Sequence, residues 1–312
     1  MEQKSKKILI GICAGALVAA VSVGGTLSYL HMATEIRANN FTFGKLRAIL
    51  TEPEWDGVID YEYDEDDDTS DPIPIYGYDE DGNPIYDPDK RPEKNPSGRP
   101  YGDEMSENMI AGQEAPKNPM ITNTCKYDEW VAMKITFVYG EDSDKAGQIL
   151  DYNDDFKALL DVIEINYDDY VISRADYTKL TDEEKAADTG RWVRNNGTAS
   201  DLTQVFFYSK PLKGSETGTP FSELSSTTPI FDTVKVKDYP SNKAMERLIE
   251  IGGFAIWIQG YVIQAEQYAS LDEWFNGPLV QFPNDKPTKD DVARPGIIRG
   301  GPVEEATTTE EP

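Results

Sequence analysis

The run Phe254 to Ile263 (FAIWIQGYVI) is apolar on both faces of any strand it forms, and a strand of that kind belongs in the middle of a packed sheet. A second segment reads almost as clearly. Val131, Met133, Ile135, Phe137 and Tyr139 alternate with smaller or polar residues, which predicts a half-buried strand over Trp130 to Tyr139. These two segments set the class: mainly β, an antiparallel β-sandwich with short helices.

The rest of the chain after Met120 fits that frame. Asn153 is the expected cap of a short helix carrying Phe156, Leu159 and Leu160. Ile163, Ile165 and Tyr167 point to a strand, and Tyr170 to Ser173 to another. Thr181 to Glu184 is a capping box opening a short helix. Trp192 to Arg194 and Gln204 to Tyr208 flank Asn195-Asn196-Gly197, a hairpin turn. Val234 and Val236 mark a strand. Ser241 to Glu250 is an amphipathic helix with Ala244, Met245, Leu248 and Ile249 turned inward, stopped by Gly252-Gly253.

Upstream the character changes. Phe41 to Leu50 reads as a strand ended by Thr51-Glu52-Pro53. From Glu54 to Pro119 the chain is dense in acid, Pro and Gly, including the run Tyr61 to Asp71 (YEYDEDDDTSD). Such a stretch buries too little apolar surface to offset its ordering entropy, so it is read as a long acidic, irregular, disordered insertion. Within it Tyr76-Gly77-Tyr78, Asp81-Gly82 and Ile85-Tyr86 have the makings of a small hairpin. The expected organisation is a signal peptide at 1–28, an arm and first strand at 29–53, the insertion at 54–119, the sandwich body at 120–282 and a flexible tail at 283–312.

Charge narrows function. The chain has 57 acidic residues against 30 basic ones, a net charge of −27. That excludes a nucleic-acid partner, because phosphate binding needs Lys and Arg to displace counterions. The single histidine, His31, rules out a Ser-His-Asp triad or a His-rich zinc cage in the body of the chain. The two cysteines are Cys13, inside the N-terminal apolar run, and Cys125, expected to be a buried small hydrophobe.

The N-terminus carries an export signal. Lys4, Lys6 and Lys7 precede the uncharged stretch Ile8 to Val23, and the small residues Thr26 and Ser28 suit a signal-peptidase site between Ser28 and Tyr29. An uncleaved membrane anchor is the other reading, and the membrane would then be a partner only through this segment. The junction Gly24-Gly25-Thr26-Leu27-Ser28-Tyr29, followed by Asn39-Asn40-Phe41-Thr42-Phe43-Gly44, resembles the SipW-type signal of the TasA/camelysin family of biofilm-matrix and surface proteins. Ile121 to Cys125 leading into Trp130 to Lys134, and Gly260 to Glu266 before Ser270 to Trp274, are similar to strand patterns of that family.

The resemblance implies a jelly roll, a dedicated signal peptidase during export, and a secreted bacterial surface or biofilm-matrix protein. It also implies fibres in which an N-terminal segment completes a neighbour's sheet, here an arm containing Tyr29, Ile36, Phe41 and Phe43. Camelysin-like relatives raise a secreted metallopeptidase as an alternative, but the chain has no His-Glu-x-x-His motif to receive that role. A monomeric surface module binding a sugar or a protein is the third reading, in which Trp130, Trp257 and Trp274 line a groove, although aromatics at strand spacing more often form core. No catalytic or metal-binding residues are assigned and no cofactor is expected. The acidic run would suit Ca²⁺, yet counting from Asp60 places Glu65 and Asp71 where an EF-hand loop needs Gly and Glu. Asn196-Gly197-Thr198 matches a glycosylation acceptor and is explained equally by its turn.

Overall fold

The computed structural model describes residues 32–33, 48–62, 73–106, 109–140, 142–167, 169–195, 198–216 and 219–276. The upstream elements are strands β1 (Met32–Ala33), β2 (Ala48–Thr51), β3 (Asp60–Glu62), β4 (Ile73–Ile75), β5 (Gly77–Tyr78) and β6 (Pro84–Ile85), then helix α1 (Gly102–Ser106) and strand β7 (Glu114–Pro116). The remainder runs β8 (Met120–Asn123), β9 (Glu129–Tyr139), α2 (Lys157–Val162), β10 (Ile163–Ile165), β11 (Val171–Ser173), α3 (Arg174–Tyr177), α4 (Asp182–Ala187), β12 (Trp192–Arg194), β13 (Thr203–Tyr208), β14 (Thr233–Val236), α5 (Asn242–Glu250), β15 (Phe254–Gln264) and α6 (Leu271–Asn276). The protein is mainly β, with short helices. No described helix is long and apolar enough to cross a membrane.

The largest sheet has the order β1-β15-β9-β13-β12-β11. Its spine is the antiparallel pair β9–β15, in register from Phe254 opposite Tyr139 to Gln264 opposite Glu129. One face meets a core containing Met133, Ile135, Phe206, Trp192, Ile258 and Val262. That core is completed by Ala48 and Leu50 of β2, Ile121 of β8, Val234 and Val236 of β14, and the helices α2 and α5. β2 pairs with β8, and β14 lies between β10 and β7 in a three-stranded sheet. Each large side chain in this core removes enough apolar surface from water to contribute about 1.5–3 kcal/mol.

The opposite face of the large sheet is covered too. Trp130, Ala132, Val193, Phe207, Tyr261 and Ile263 pack with Tyr177 of α3 and with Leu271, Trp274 and Phe275 of α6. This corrects the half-buried reading of β9. Every residue of that strand except Lys134 is buried, because α6 folds back over the face that alternation left to solvent.

Other readings also need correction. The large sheet is mixed: β11 runs parallel to β12, since the chain between them crosses over through α3 and α4. The cap before α2 is Asp151, whose carboxylate accepts from the N–H groups of Asn153 and Asp154, and a π-helical turn at Tyr152–Phe156 intervenes. Ile249 points outward and is 76 % exposed, whereas Ala244 and Leu248 are buried. The capping box of α4 and the pairing of β5 with β6 lie where the sequence places them.

The region 54–119, read as irregular from composition, carries β3 to β7 and α1 in its described part. Val58, Ile75 and Tyr101 are buried there, and β7 forms an edge of the three-stranded sheet. Specific ion pairs, described below, supply what its sparse apolar content does not. Residues 63–72, which hold most of the acidic run, lie outside the described residues, as do 277–312.

Candidate functional site

Three places concentrate groups with something to offer a partner or a reaction. The first is the outer edge of β15. Beyond β9, its only partner among the described residues is β1, where Met32 stands opposite Val262 and Ala33 opposite Tyr261, antiparallel. No other described strand pairs with this edge from Phe254 to Gly260. The main-chain N–H and C=O groups of a strand edge are a template for an extended segment that reaches them.

The second is a cleft of about 470 Å³ where β9 begins and β15 ends, lined by Lys126, Tyr127, Asp128, Trp130, Gln264 and Tyr268 among others. Two of its polar groups are already engaged. The Trp130 indole N–H donates to the Tyr268 carbonyl at 3.1 Å. Asp128 accepts from Lys213 Nζ at 2.6 Å and from the Gly214 N–H at 2.9 Å. Burial pushes the Asp128 carboxyl up, but these donors outweigh it and hold the group below its ordinary value. Asp128 therefore stays ionised and is a poor proton donor. Beside the cleft, the Cys125 thiol is buried and donates to Glu129 Oε1 at 3.1 Å.

The third place is the neck of the 54–119 region, where its two ends meet. Lys117 Nζ lies 2.5 Å from Glu52 Oε2, with the side chains 7 % and 1 % exposed. The ammonium also sits 4.2 Å from the centre of the Trp55 ring. Glu52 Oε1 is buried with no hydrogen-bond partner. Asp56 is buried one turn beyond Glu52, with its N–H donating to the Glu52 carbonyl at 3.3 Å and its Oδ1 accepting from the Val58 N–H at 2.9 Å. Burial drives the Asp56 carboxyl well above its ordinary range, against the pull of that backbone N–H, and the negative charge of Glu52 adds to the rise. Around the cluster, Arg91 donates to the Asp56 carbonyl at 2.8 Å and pairs with Asp103 and Glu104, while Arg99 pairs with Glu54.

The residues singled out from the sequence fall elsewhere. Ser28 and Tyr29 at the cleavage junction, His31, and the arm residues Ile36, Phe41 and Phe43 all lie outside the described residues. Trp130 and Trp274 are core partners on the outer sheet face, 6.2 Å apart, and Trp257 is buried beneath Lys134 at 5.5 Å. Of the three tryptophans only Trp130 reaches the cleft. The neck was invisible in the sequence because Glu52, Asp56 and Lys117 look like surface charges; their spacing of up to 65 positions carries no local signal. Among the described residues, no group of three or more His, Cys, Asp or Glu side chains is placed to hold a metal ion. No protein-family model, curated protein or solved structure matches this chain.

Proposed function

We propose that the protein is a secreted bacterial surface or biofilm-matrix structural protein, built on a jelly-roll-like sandwich, that associates with further copies of itself through its N-terminal arm. The observation that carries this reading is the pairing of Met32–Ala33 with the β15 edge. On this reading a segment released a few residues upstream by cleavage after Ser28 meets an edge where, among the described residues, β1 is the strand paired beyond β9. The same main-chain bonds form whether the arm belongs to the chain itself or to a neighbour, and the sheet is indifferent to the source. The SipW-type junction and the acidic composition agree with export to the cell surface or matrix. Neither a cofactor nor a catalytic role enters the reading.

The test is deletion of Tyr29 to Asn40 from the secreted protein. Sedimentation should show a folded monomer that no longer assembles, while the intact mature protein forms larger species. Identical sedimentation of both under every condition would overturn the assembly role. The cleft between β9 and β15 favours the second reading, a surface binding module; titration of oligosaccharides against Tyr127→Ala and Tyr268→Ala variants addresses that one.

A further inference from the structure

The ionic cluster at the neck is an unusual way to bury charge. Two carboxyls and one ammonium cannot all be ionised there without leaving a net negative charge out of water, which is strongly unfavourable. Glu52 Oε1 has no donor, so the pair is not satisfied by hydrogen bonding either. The surrounding backbone is held firmly. The Trp55 N–H donates to the Glu52 carbonyl at 2.8 Å, the Lys117 N–H to the Asp232 carbonyl at 3.0 Å, and the Glu54 N–H to Asn118 Oδ1 at 2.8 Å. At Gly102, a Cβ would lie 1.9 Å from the Pro116 carbonyl oxygen and 2.5 Å from the Trp55 ring, and its N–H donates to the Glu54 carbonyl at 3.0 Å, so α1 is packed tightly between the start of the region and β7. An amine and a carboxyl are thus fixed in contact, dry, beside a third group able to hand over a proton.

We propose that Lys117 and Glu52 become joined by an intramolecular amide bond, a covalent crosslink across the base of the 54–119 region, with Asp56 as the acid that assists its formation. The chemistry is a dehydration. The Lys117 ammonium passes a proton to Glu52 along their contact, leaving a neutral amine against a neutral carboxyl. Nζ attacks Cδ of Glu52, and the carbonyl π electrons move onto oxygen. Asp56 donates its proton to the departing hydroxyl, the C–O bond breaks, and one water leaves. The Asp56 carboxylate then takes the surplus proton from Nζ and returns to its starting state. An amide N–H and one water are the products, and no oxidant or cofactor is needed.

Each group has a reason to be what it is. Burial beside the Trp55 ring holds the Lys117 Nζ against Glu52 and away from bulk water. Burial raises the Asp56 carboxyl well above its ordinary range, which makes it a better proton donor than an exposed aspartate. The rigid neck turns a bimolecular condensation into a unimolecular one. The proposal holds whether or not the protein assembles.

The intact mass of the purified protein, measured under denaturing conditions and referred to the N-terminus found by sequencing, should be one water below the sequence value. Trypsin should fail to cut after Lys117 and should release a branched peptide joining the Glu52 and Lys117 segments. Lys117→Ala should restore the full mass. Asp56→Asn preserves the acceptor for the Val58 N–H and the Glu52–Lys117 pair, so it should fold, as judged by circular dichroism, and carry the full mass. Folded wild-type protein at the full sequence mass overturns the crosslink. So does a water loss that maps to a cyclic imide at Asp56-Gly57 or Asp81-Gly82. A normally crosslinked Asp56→Asn variant overturns the role of Asp56, and a branch at any carboxyl other than Glu52 overturns the assignment of the bond.

Discussion

Asp155 is a carboxylate that the fold keeps charged. It is buried, accepts from the Tyr139 hydroxyl at 2.5 Å and from Arg247 Nε at 2.6 Å, and so ties α5 to the end of β9. Burial pushes its pKa up, but the two donors and the Arg247 charge outweigh it, and the group titrates below its ordinary value of 3.8. A depressed folded-state pKa makes the contribution to stability full above the unfolded value, and it is lost as pH falls below 3.8 through the folded one. Asp155→Asn should cost about 1–3 kcal/mol at neutral pH, and the deficit against wild type should shrink in acid; urea melts at pH 7 and pH 3 would show it, and an equal deficit at both would refute the charge argument. Asp56, at the neck, is the opposite case, since burial there, aided by the negative charges of Glu52 and Asp103, outweighs the Val58 N–H and the Lys117 charge. Neither environment was legible in the sequence. Both are made by partners far along the chain, and an acidic residue between polar neighbours looks alike in either. Cys125 was easier: its residue type favours the core, and the structure places it there, buried.

At the scale of elements, α6 does more than its six residues suggest. It closes the outer face of the large sheet, with the Trp274 ring 4.6 Å from Phe207 and 6.2 Å from Trp130. Trp274→Ala removes the largest of its three buried side chains and should destabilise the protein by about 3–5 kcal/mol, with a gain in binding of a hydrophobic dye as the face opens; a denaturation midpoint unchanged from wild type would show that α6 covers the sheet only loosely. The sequence places Leu271, Trp274 and Phe275 beside a strand but says nothing about which face they reach, and for that reason β9 reads as half-buried. Where the signal is local, the reading holds: the Thr181–Glu184 box is formed from both sides, and Ser241 caps α5 through the Ala244 N–H. Where two local candidates compete, it slips, as Asp151 takes the capping role expected of Asn153. The parallel strand β11 is a product of the crossover through α3 and α4, which periodicity does not encode. At the neck, composition underestimated order because it counts apolar residues, and this region is held by Arg91 and Arg99 pairing with its own acids and by Lys117 pairing with Glu52 just before it.

For the whole molecule the governing quantity is charge. At −27, each copy of the chain repels another at every approach, and the proposed cleavage after Ser28, which would remove Lys4, Lys6 and Lys7, would add to that repulsion. Pairing of an arm with the β15 edge gains main-chain hydrogen bonds over a short stretch, and those bonds are of short range. The repulsion acts over a Debye length, about 30 Å at 0.01 M salt and about 8 Å at 0.15 M. At low ionic strength, therefore, two subunits feel each other's charge long before an arm can reach an edge, and the mature protein should remain monomeric. Added salt shortens the reach of the repulsion to less than the width of two strands and should release assembly. A divalent cation should do so at a far lower concentration, because it neutralises paired carboxylates as well as screening them. Light scattering of the mature protein along NaCl and CaCl₂ titrations tests both arms, with the Tyr29 to Asn40 deletion as the control that must stay monomeric throughout. Assembly that is strongest without salt would mean that attraction between opposite charges drives it, and the edge-pairing account would fail.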